Sequence, residues 1–157
     1  MKPFKYFSIF MLMLFVVACS EPCDNVDCVN GTCDDGTCIC IDGWMKDTEG
    51  ACTITRNTLF EGTYTSSKTC QSDGIIVTDT ILVDTGTNPN DVMLRNFEGI
   101  ANNDIRVTIS SSDVITISPQ TTIAGYDYSG SGTRLNSVLS FSLYKIADTC
   151  QVSLTKQ

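Results

Sequence analysis

The sequence predicts an all-β protein in which a small disulfide-rich module precedes an antiparallel meander β-barrel of about eight strands. Three observations predict this fold class. Six of the nine cysteines fall between residues 23 and 52. Residues 53–157 alternate apolar and polar side chains with period two, which is the pattern of half-buried strands. No stretch of roughly ten residues carries a helical apolar stripe. A two-sheet β-sandwich is the alternative architecture.

The composition excludes several functional classes. The chain contains no histidine, which removes a Ser-His-Asp triad, a Cys-His pair and a His-ligated zinc site. Its formal net charge of −8 disfavours nucleic acid, because phosphate backbones require a cationic surface. We therefore expect no catalytic residues, no cofactor, no metal site and no nucleic-acid partner.

Residues 1–18 have the three parts of an export signal. Lys2 and Lys5 form a basic start, an apolar run extends over residues 6–17, and Ala18 is a small residue at its end. The apolar run is shorter than the roughly 20 residues that a helix needs to span a bilayer. The segment is therefore predicted to be a signal peptide that is cleaved.

The end of this signal, Val16-Val17-Ala18-Cys19, resembles the lipobox of bacterial lipoproteins. The resemblance implies acylation of Cys19, with chains such as palmitate, and a short linker over residues 19–22. Ser20 is similar to the residue that directs Gram-negative lipoproteins to the outer membrane, and Ser20-Glu21 resembles a signal for export to the cell surface. Ordinary cleavage after Ala18, which would leave Cys19 as a free thiol, is the alternative. Oligomeric state and the side of the membrane that the protein faces stay open.

The next segment, residues 23–52, is too small to build its own apolar core, so disulfides must stabilise it. Asn30-Gly31, the pair Cys38-Ile39-Cys40 and Gly43-Trp44 make it resemble an epidermal-growth-factor-like (EGF-like) module. Spacing alone leaves the pairing of six cysteines open. The resemblance implies these pairs: Cys23 with Cys33, Cys28 with Cys38, and Cys40 with Cys52. The acidic and amide cluster that accompanies calcium binding in such modules is missing.

Residues 53–157 form the predicted barrel domain. Its two cysteines, Cys70 and Cys150, are expected to pair in an oxidising compartment. Alternation and turn residues predict strands near 59–69, 74–84, 91–98, 104–110, 113–118, 122–129, 135–146 and 150–155. Ser129-Gly130-Ser131-Gly132 is interpreted as a flexible hairpin or a bulge. Short connections favour antiparallel neighbours and an up-and-down barrel.

Phe60-Glu61-Gly62-Thr63-Tyr64 is similar to the Gly-x-aromatic motif that opens the first strand of lipocalin-like barrels. The resemblance implies that the glycine allows a sharp bend and that the aromatic ring closes one barrel end. The C-terminal portion, with Ser129-Gly130-Ser131-Gly132-Thr133, looks like uncharacterised bacterial lipoprotein domains with a lipocalin-like meander. That likeness implies fold and location but no activity.

Tyr126 and Tyr128 are the candidate ligand-binding residues, because exposed aromatics beside Gly-rich turns are common in patches that bind sugars or proteins. The alternative is that they are half-buried and stabilise cross-strand pairs. The leading functional hypothesis is a non-enzymatic binding or adhesion module for extracellular protein or glycan. A small lipocalin-like carrier of an apolar ligand is the second. A hydrolase that uses carboxylates such as Glu61 and Glu98 is the third, although a solvated acidic surface is the favoured explanation of these residues.

Overall fold

The computed structural model describes residues 22–146 and 148–157. The predicted signal peptide and the predicted lipidation site, Cys19, lie outside the described residues. The described chain is all-β, with two short 3-10 helices, Arg56–Leu59 and Phe97–Gly99. Neither is long and apolar enough to cross a membrane as a helix.

The first module consists of two small β-ladders held by three disulfides. Strands β1 (Gly31–Asp34) and β2 (Thr37–Cys40) form a hairpin, and β3 (Trp44–Met45) pairs with β4 (Ile54–Thr55). The disulfides are the three that the EGF-like resemblance implies: Cys23–Cys33, Cys28–Cys38 and Cys40–Cys52. Cys28, Cys38 and Cys52 are buried, so the sulfur atoms themselves form the centre of the module.

The second module is a closed antiparallel barrel of eight strands, which confirms the predicted fold class over the sandwich alternative. Every strand pairs with its neighbour in sequence, and the last pairs with the first. The strands are β5 (Gly62–Cys70), β6 (Ile76–Thr85), β7 (Asp91–Arg95), β8 (Ile105–Ile109), β9 (Val114–Thr121), β10 (Asp127–Leu135), β11 (Val138–Lys145) and β12 (Asp148–Lys156).

Inward-facing side chains from all eight strands fill the barrel. They form one apolar cluster, and most of its members are almost completely buried. The cluster includes Tyr64, Ile81, Val83, Val92, Leu94, Ile105, Val107, Ile109, Ile115, Ile117, Tyr128, Leu139, Phe141, Leu143, Val152 and Leu154. The period-two alternation in the sequence therefore places apolar side chains in the core and polar side chains on the solvent-exposed outer face.

One predicted strand is displaced by several residues. The sequence places it near 122–129, whereas β10 occupies Asp127–Leu135 and residues 122–126 form the preceding turn. A Cβ atom at Gly130 would lie 2.3 Å from the carbonyl oxygen of Ser142, and one at Gly132 would lie 2.1 Å from that of Ser140. These glycines allow β11 to approach closely, and the strand carries a bulge between Tyr128 and Gly130. Of the two interpretations of residues 129–132, the bulge is confirmed and the hairpin is wrong.

The two ends of the barrel differ, and we name them for their position relative to the first module. The stalk end contains the connections β6–β7, β8–β9 and β10–β11. The distal end contains the connections β5–β6, β7–β8, β9–β10 and β11–β12. The disulfide Cys70–Cys150 joins β5 to β12 near the distal end.

The first module contacts the stalk end through a network of hydrogen bonds. Asp42 accepts hydrogen bonds from the Asn90 side chain (2.7 Å) and the Ser111 backbone (3.3 Å). The backbone N–H of Asn57 donates to the carbonyl oxygen of Pro89 at 2.8 Å. The buried Asn57 side chain donates to the carbonyl oxygens of Gly86 and Asn88. These bonds fix the first module against the barrel.

The Gly-x-aromatic motif lies at this same end. Gly62 begins β5 with φ 141°. Glycine adopts such a positive φ more readily than any other residue. Tyr64 is buried in the barrel core, and Phe60 is buried beneath the guanidinium of Arg134, whose Cζ lies 4.9 Å from the ring centroid. The aromatic residues of this segment therefore close the stalk end.

Candidate functional site

A single connection closes most of the distal end. Residues 96–104 join β7 to β8 and contain the 3-10 helix Phe97–Gly99. The side-chain nitrogen of Asn103 donates to the carbonyl oxygen of Phe97 (2.8 Å), and the Phe97 N–H donates to that of Asn103 (2.8 Å). This clamp inserts Phe97, which is 1% exposed, into the barrel mouth. Its ring packs edge-on against Tyr128 at a centroid distance of 5.9 Å.

Glu98 lies at the centre of a charged cluster beside Phe97. Its carboxylate pairs with Lys68 of β5 and with Lys145 of β11, the latter at 2.6 Å. Tyr128 of β10 donates its hydroxyl to the same carboxylate at 3.2 Å. We call Glu98, Lys68, Lys145 and Tyr128 the Glu98 cluster. It ties the connection 96–104 to three strands of the barrel.

The Glu98 carboxylate is ionised in spite of its burial. Burial raises the pKa of this carboxyl, but hydrogen bonds from Lys145 and Lys68 and their positive charges lower it more, so the pKa lies below its usual value. Glu98 also adopts a left-handed backbone conformation, with φ 61°, which L residues other than glycine rarely adopt. The two ion pairs therefore stabilise a conformation that the backbone alone disfavours.

The two candidate ligand-binding tyrosines are close together, with ring centroids 6.4 Å apart. Tyr128 is 2% exposed, so its ring does not lie on the surface. Burial raises the pKa of its hydroxyl. Tyr126 is half-buried, and the Lys145 ammonium lies 4.6 Å from its ring centroid. The pair thus supports the Glu98 cluster through a cation–π contact.

Five aliphatic side chains at the distal end are exposed. Ile75, Ile76 and Val77 follow the β5–β6 turn, Ile123 occupies the β9–β10 turn, and Ile146 follows β11. We call these five residues the distal rim. Ile123 is 89% exposed and Ile146 is 71% exposed. The stalk end also has exposed apolar side chains, Leu59, Val114 and Leu135, but the distal end has more of them. Exposed apolar side chains that lie near one another are typical of a binding surface.

Two grooves lie between the rim and the cluster, and both open to solvent. The larger has a volume of about 510 Å³ and is lined by Tyr128, Tyr144, Lys145, Ile146 and Asp148 among others. The smaller, of about 270 Å³, lies between β6 and residues 97–100. Both grooves combine apolar walls with a few charged groups, which is the composition of ligand-binding surfaces.

The structure separates the carboxylates that a hydrolase would require. Glu61 precedes β5 at the stalk end, whereas Glu98 contacts Lys68 near the other end of the same strand. Six strand residues correspond to about 20 Å, against the 5 to 10 Å that paired catalytic carboxylates need. In the larger groove, a hydrogen bond from the Ser72 hydroxyl holds the pKa of Asp148 below its usual value. A general acid needs the opposite shift.

One group of side chains of the kinds that bind metal ions also lies at the distal end. Cys70, Asp148 and Cys150 bring their ligand atoms within 4.8 Å of one another. Both sulfur atoms form the disulfide Cys70–Cys150, and a disulfide offers no thiolate to a metal ion. The two cysteines of this group therefore stabilise the fold through their disulfide.

Sequence reasoning named Glu98 only as one carboxylate among many and did not find Lys68 or Lys145. No local pattern connects these three residues, because strand register alone brings them together. The run Ile75-Ile76-Val77 does carry a signal, since it interrupts the alternation directly after a turn. A comparison of this chain with protein-family models, curated proteins and solved structures finds no match in any of the three. The EGF-like and lipocalin-like likenesses therefore stay resemblances.

Proposed function

We propose that this protein is a lipid-anchored bacterial outer-membrane lipoprotein, exposed on the cell surface, that acts as a non-enzymatic binding or adhesion module. The observation that carries the proposal is the distal rim, an exposed apolar surface at the barrel end opposite the first module. The predicted anchor, Cys19, precedes that module in the chain. A protein tethered in this way directs its distal end away from the membrane, where a partner reaches it.

The character of the rim favours an extracellular protein over a glycan. Sugars stack on exposed aromatic rings, whereas the rim consists of isoleucine and valine. Of the tyrosines at this end, Tyr128 is buried, Tyr126 is half-buried and Tyr144, in the larger groove, is exposed. Aliphatic surface is buried effectively only against another apolar surface, and protein partners provide one. The large apolar residues that fill the barrel argue against a carrier with its ligand inside.

Binding should be tested with cells that display the protein and with immobilised extracellular matrix proteins, beside a glycan array. The distal variant is Ile75→Ser/Ile123→Ser/Ile146→Ser. Its matched control is Leu135→Ser, which alters a side chain that is 74% exposed at the stalk end. We expect the distal variant to lose binding by about tenfold or more and the control to retain it. Binding that the distal variant retains would contradict the proposal.

The anchor should be tested by intact mass after purification from the membrane of a lipidating Gram-negative host. We expect an acylated mass that begins at Cys19 and lacks eight hydrogens relative to the reduced chain, two for each of the four disulfides. Cys19→Ala should abolish acylation and release the protein from the membrane. Protease treatment of intact cells then reports exposure on the surface.

A further inference from the structure

Strand β6 extends beyond its neighbour β7 at the distal end. On one side, β5 pairs with β6 from Ile76 to Val83. On the other side, β7 pairs only with Leu82–Thr85. Among the residues that the structure describes, no strand pairs with the second side of residues 76–81. We call this open side the β6 edge. The seam between β8 and β9 is also interrupted, since only Thr108 and Ile109 of β8 pair with β9, but there the Gln120 side chain bonds the Arg106 backbone.

The β6–β7 hairpin at the stalk end shows which backbone N–H and C=O groups of β6 face the β6 edge. Gly86 donates its N–H to the carbonyl oxygen of Asp91 at 2.7 Å across the β6–β7 hairpin. Because backbone direction alternates along a strand, Thr80, Thr78 and Ile76 face the same side as Gly86. Within the described chain, the Thr80 N–H donates to the Asp79 carboxylate at 2.7 Å, and no other bond is found for these groups on that side.

The smaller groove lies beside this edge, between the inner faces of β5 and β6 and residues 97–100. Buried Ile81 and Phe97 form its floor, Val77 and Ile100 contribute to its walls, and the Lys68–Glu98 ion pair lies at one end. Connection 96–104 passes beside residues 76–81, and a Cβ atom at Gly99 would lie 3.5 Å from the Asp79 carboxylate, but within the described chain no backbone hydrogen bond joins the two segments. The two segments leave a channel of about 270 Å³. An extended chain placed there would direct every second side chain towards the apolar floor.

We propose that the β6 edge binds an extended segment of the extracellular protein partner as an added β-strand. The inference rests on the proposed function and names how its partner is held. The N–H groups of Ile76 and Thr78, which have no hydrogen bond within the described chain, lie at strand spacing and match another extended backbone and few other ligands. An apolar side chain of that segment enters the groove, and a basic side chain faces Asp79. Among the described residues Asp79 has no ion-pair partner, and the net charge of −8 favours a basic segment.

The probe is a set of short peptides selected on the purified full chain from a random phage-displayed library. Thr78→Pro removes the one N–H at the centre of the β6 edge, and it leaves the β5 ladder intact because that N–H faces away from β5. Thr78→Val keeps the N–H and is the matched control. We expect Thr78→Pro to weaken peptide binding by about tenfold or more and Thr78→Val to preserve it. Asp79→Asn should weaken the peptides that carry Lys or Arg.

Amide hydrogen exchange measured by NMR supplies a second readout that does not depend on the proline variant. In the free protein the amide of Thr78 should exchange quickly, whereas the amide of Val77, which faces β5, should exchange slowly. On peptide binding, the amides of Ile76 and Thr78 should become protected. The same peptide with alternate backbone amides N-methylated should neither bind nor protect them.

Three results would overturn this inference. The first is peptide binding that Thr78→Pro leaves unchanged, without protection of the edge amides. The second is a library that enriches no peptide on the wild-type chain over the Thr78→Pro chain. The third is protection of the edge amides in a dimer without peptide, which would assign the β6 edge to a second copy. If the distal variant still loses matrix-protein binding in these cases, the proposed function stands and the β6 edge inference fails alone.

Discussion

The two ends of the barrel use similar residues for different purposes. At the stalk end, Phe60 and Tyr64 are buried, and Asn57, Asn90 and Asp42 form hydrogen bonds to the neighbouring module. At the distal end, Phe97 and Tyr128 close the barrel in the same way, and the Glu98 cluster connects them to the strands. Outside these closing residues, the stalk end contacts the first module, whereas the distal end has exposed isoleucines.

This difference shows which surface is available for function. Polar groups at the stalk end contact another part of the same chain, so a partner there would have to compete with the first module. The apolar side chains of the distal rim are between 48% and 89% exposed, and exposed apolar area is the part of a surface that gains most from a partner. The following predictions test the comparison in order of decreasing effect on stability.

The largest effect is expected for the disulfide that closes the barrel at the distal end. Cys70→Ala/Cys150→Ala removes a link between residues separated by 80 positions. The chain-entropy model assigns such a link about 4 kcal/mol of unfolding free energy. Chemical denaturation monitored through the tyrosines measures this loss, because every tyrosine outside residues 1–18 lies in the barrel module.

The control for this prediction is Cys40→Ala/Cys52→Ala in the first module. Trp44, the single tryptophan of the chain, lies beside that bond and reports the unfolding of the first module. We expect the second variant to shift the Trp44 signal and to leave the tyrosine signal almost unchanged. Equal shifts in both signals would show that the two modules unfold as one unit and that the disulfides are not specific to one module.

The next effect comes from Glu98, because its replacement leaves two partly buried lysines without their counter-ion. Glu98→Gln should lower the free energy of unfolding at neutral pH by about 2 kcal/mol. The pKa of Glu98 is lower in the folded protein than its usual value of 4.5. Its contribution is therefore complete above the unfolded pKa and is lost as pH falls through the folded pKa. The difference between wild type and Glu98→Gln should thus shrink below about pH 4.5.

Glu61→Gln is the matched control at the stalk end. Glu61 is exposed and has no ion pair within the described chain, so its replacement should change stability by less than about 0.5 kcal/mol. A pH-dependent difference as large for Glu61→Gln as for Glu98→Gln would mean that the Glu98 cluster has no special role in closing the distal end.

A smaller effect is expected for the junction between the modules. Asn57→Ala removes the side-chain hydrogen bonds to the carbonyl oxygens of Gly86 (3.4 Å) and Asn88 (3.0 Å). It should cost about 1 kcal/mol of stability and move the Trp44 transition further from the tyrosine transition. Thr87→Ala, an exposed change in the same connection, should leave the two transitions as they are in the wild type. Transitions in Asn57→Ala that keep the wild-type spacing would show that other contacts hold the stalk end.

The sequence predicts the parts of this molecule that have local signals. Period-two alternation predicts the eight strands, and the cysteine spacing predicts the disulfides. The sixth barrel strand is misplaced because Gly130 and Gly132 resemble a turn, whereas in the structure they allow β11 to approach. The Glu98 cluster could not be predicted, since β5, β11 and connection 96–104 contribute to it from distant positions. The β6 edge likewise depends on where β7 ends, which is a property of pairing rather than of composition.

The smallest effect on stability is expected at the distal rim itself. Ile123→Ser should change the free energy of unfolding by less than about 0.5 kcal/mol, because the side chain is 89% exposed and loses almost no packing. Leu135→Ser at the stalk end should behave alike in denaturation, so the pair is matched in stability and differs only in position. Partner binding should then fall for Ile123→Ser alone. If Ile123→Ser instead destabilises the fold by more than about 1 kcal/mol, its side chain is packed in solution, and the contrast between an occupied stalk end and a free distal end is wrong.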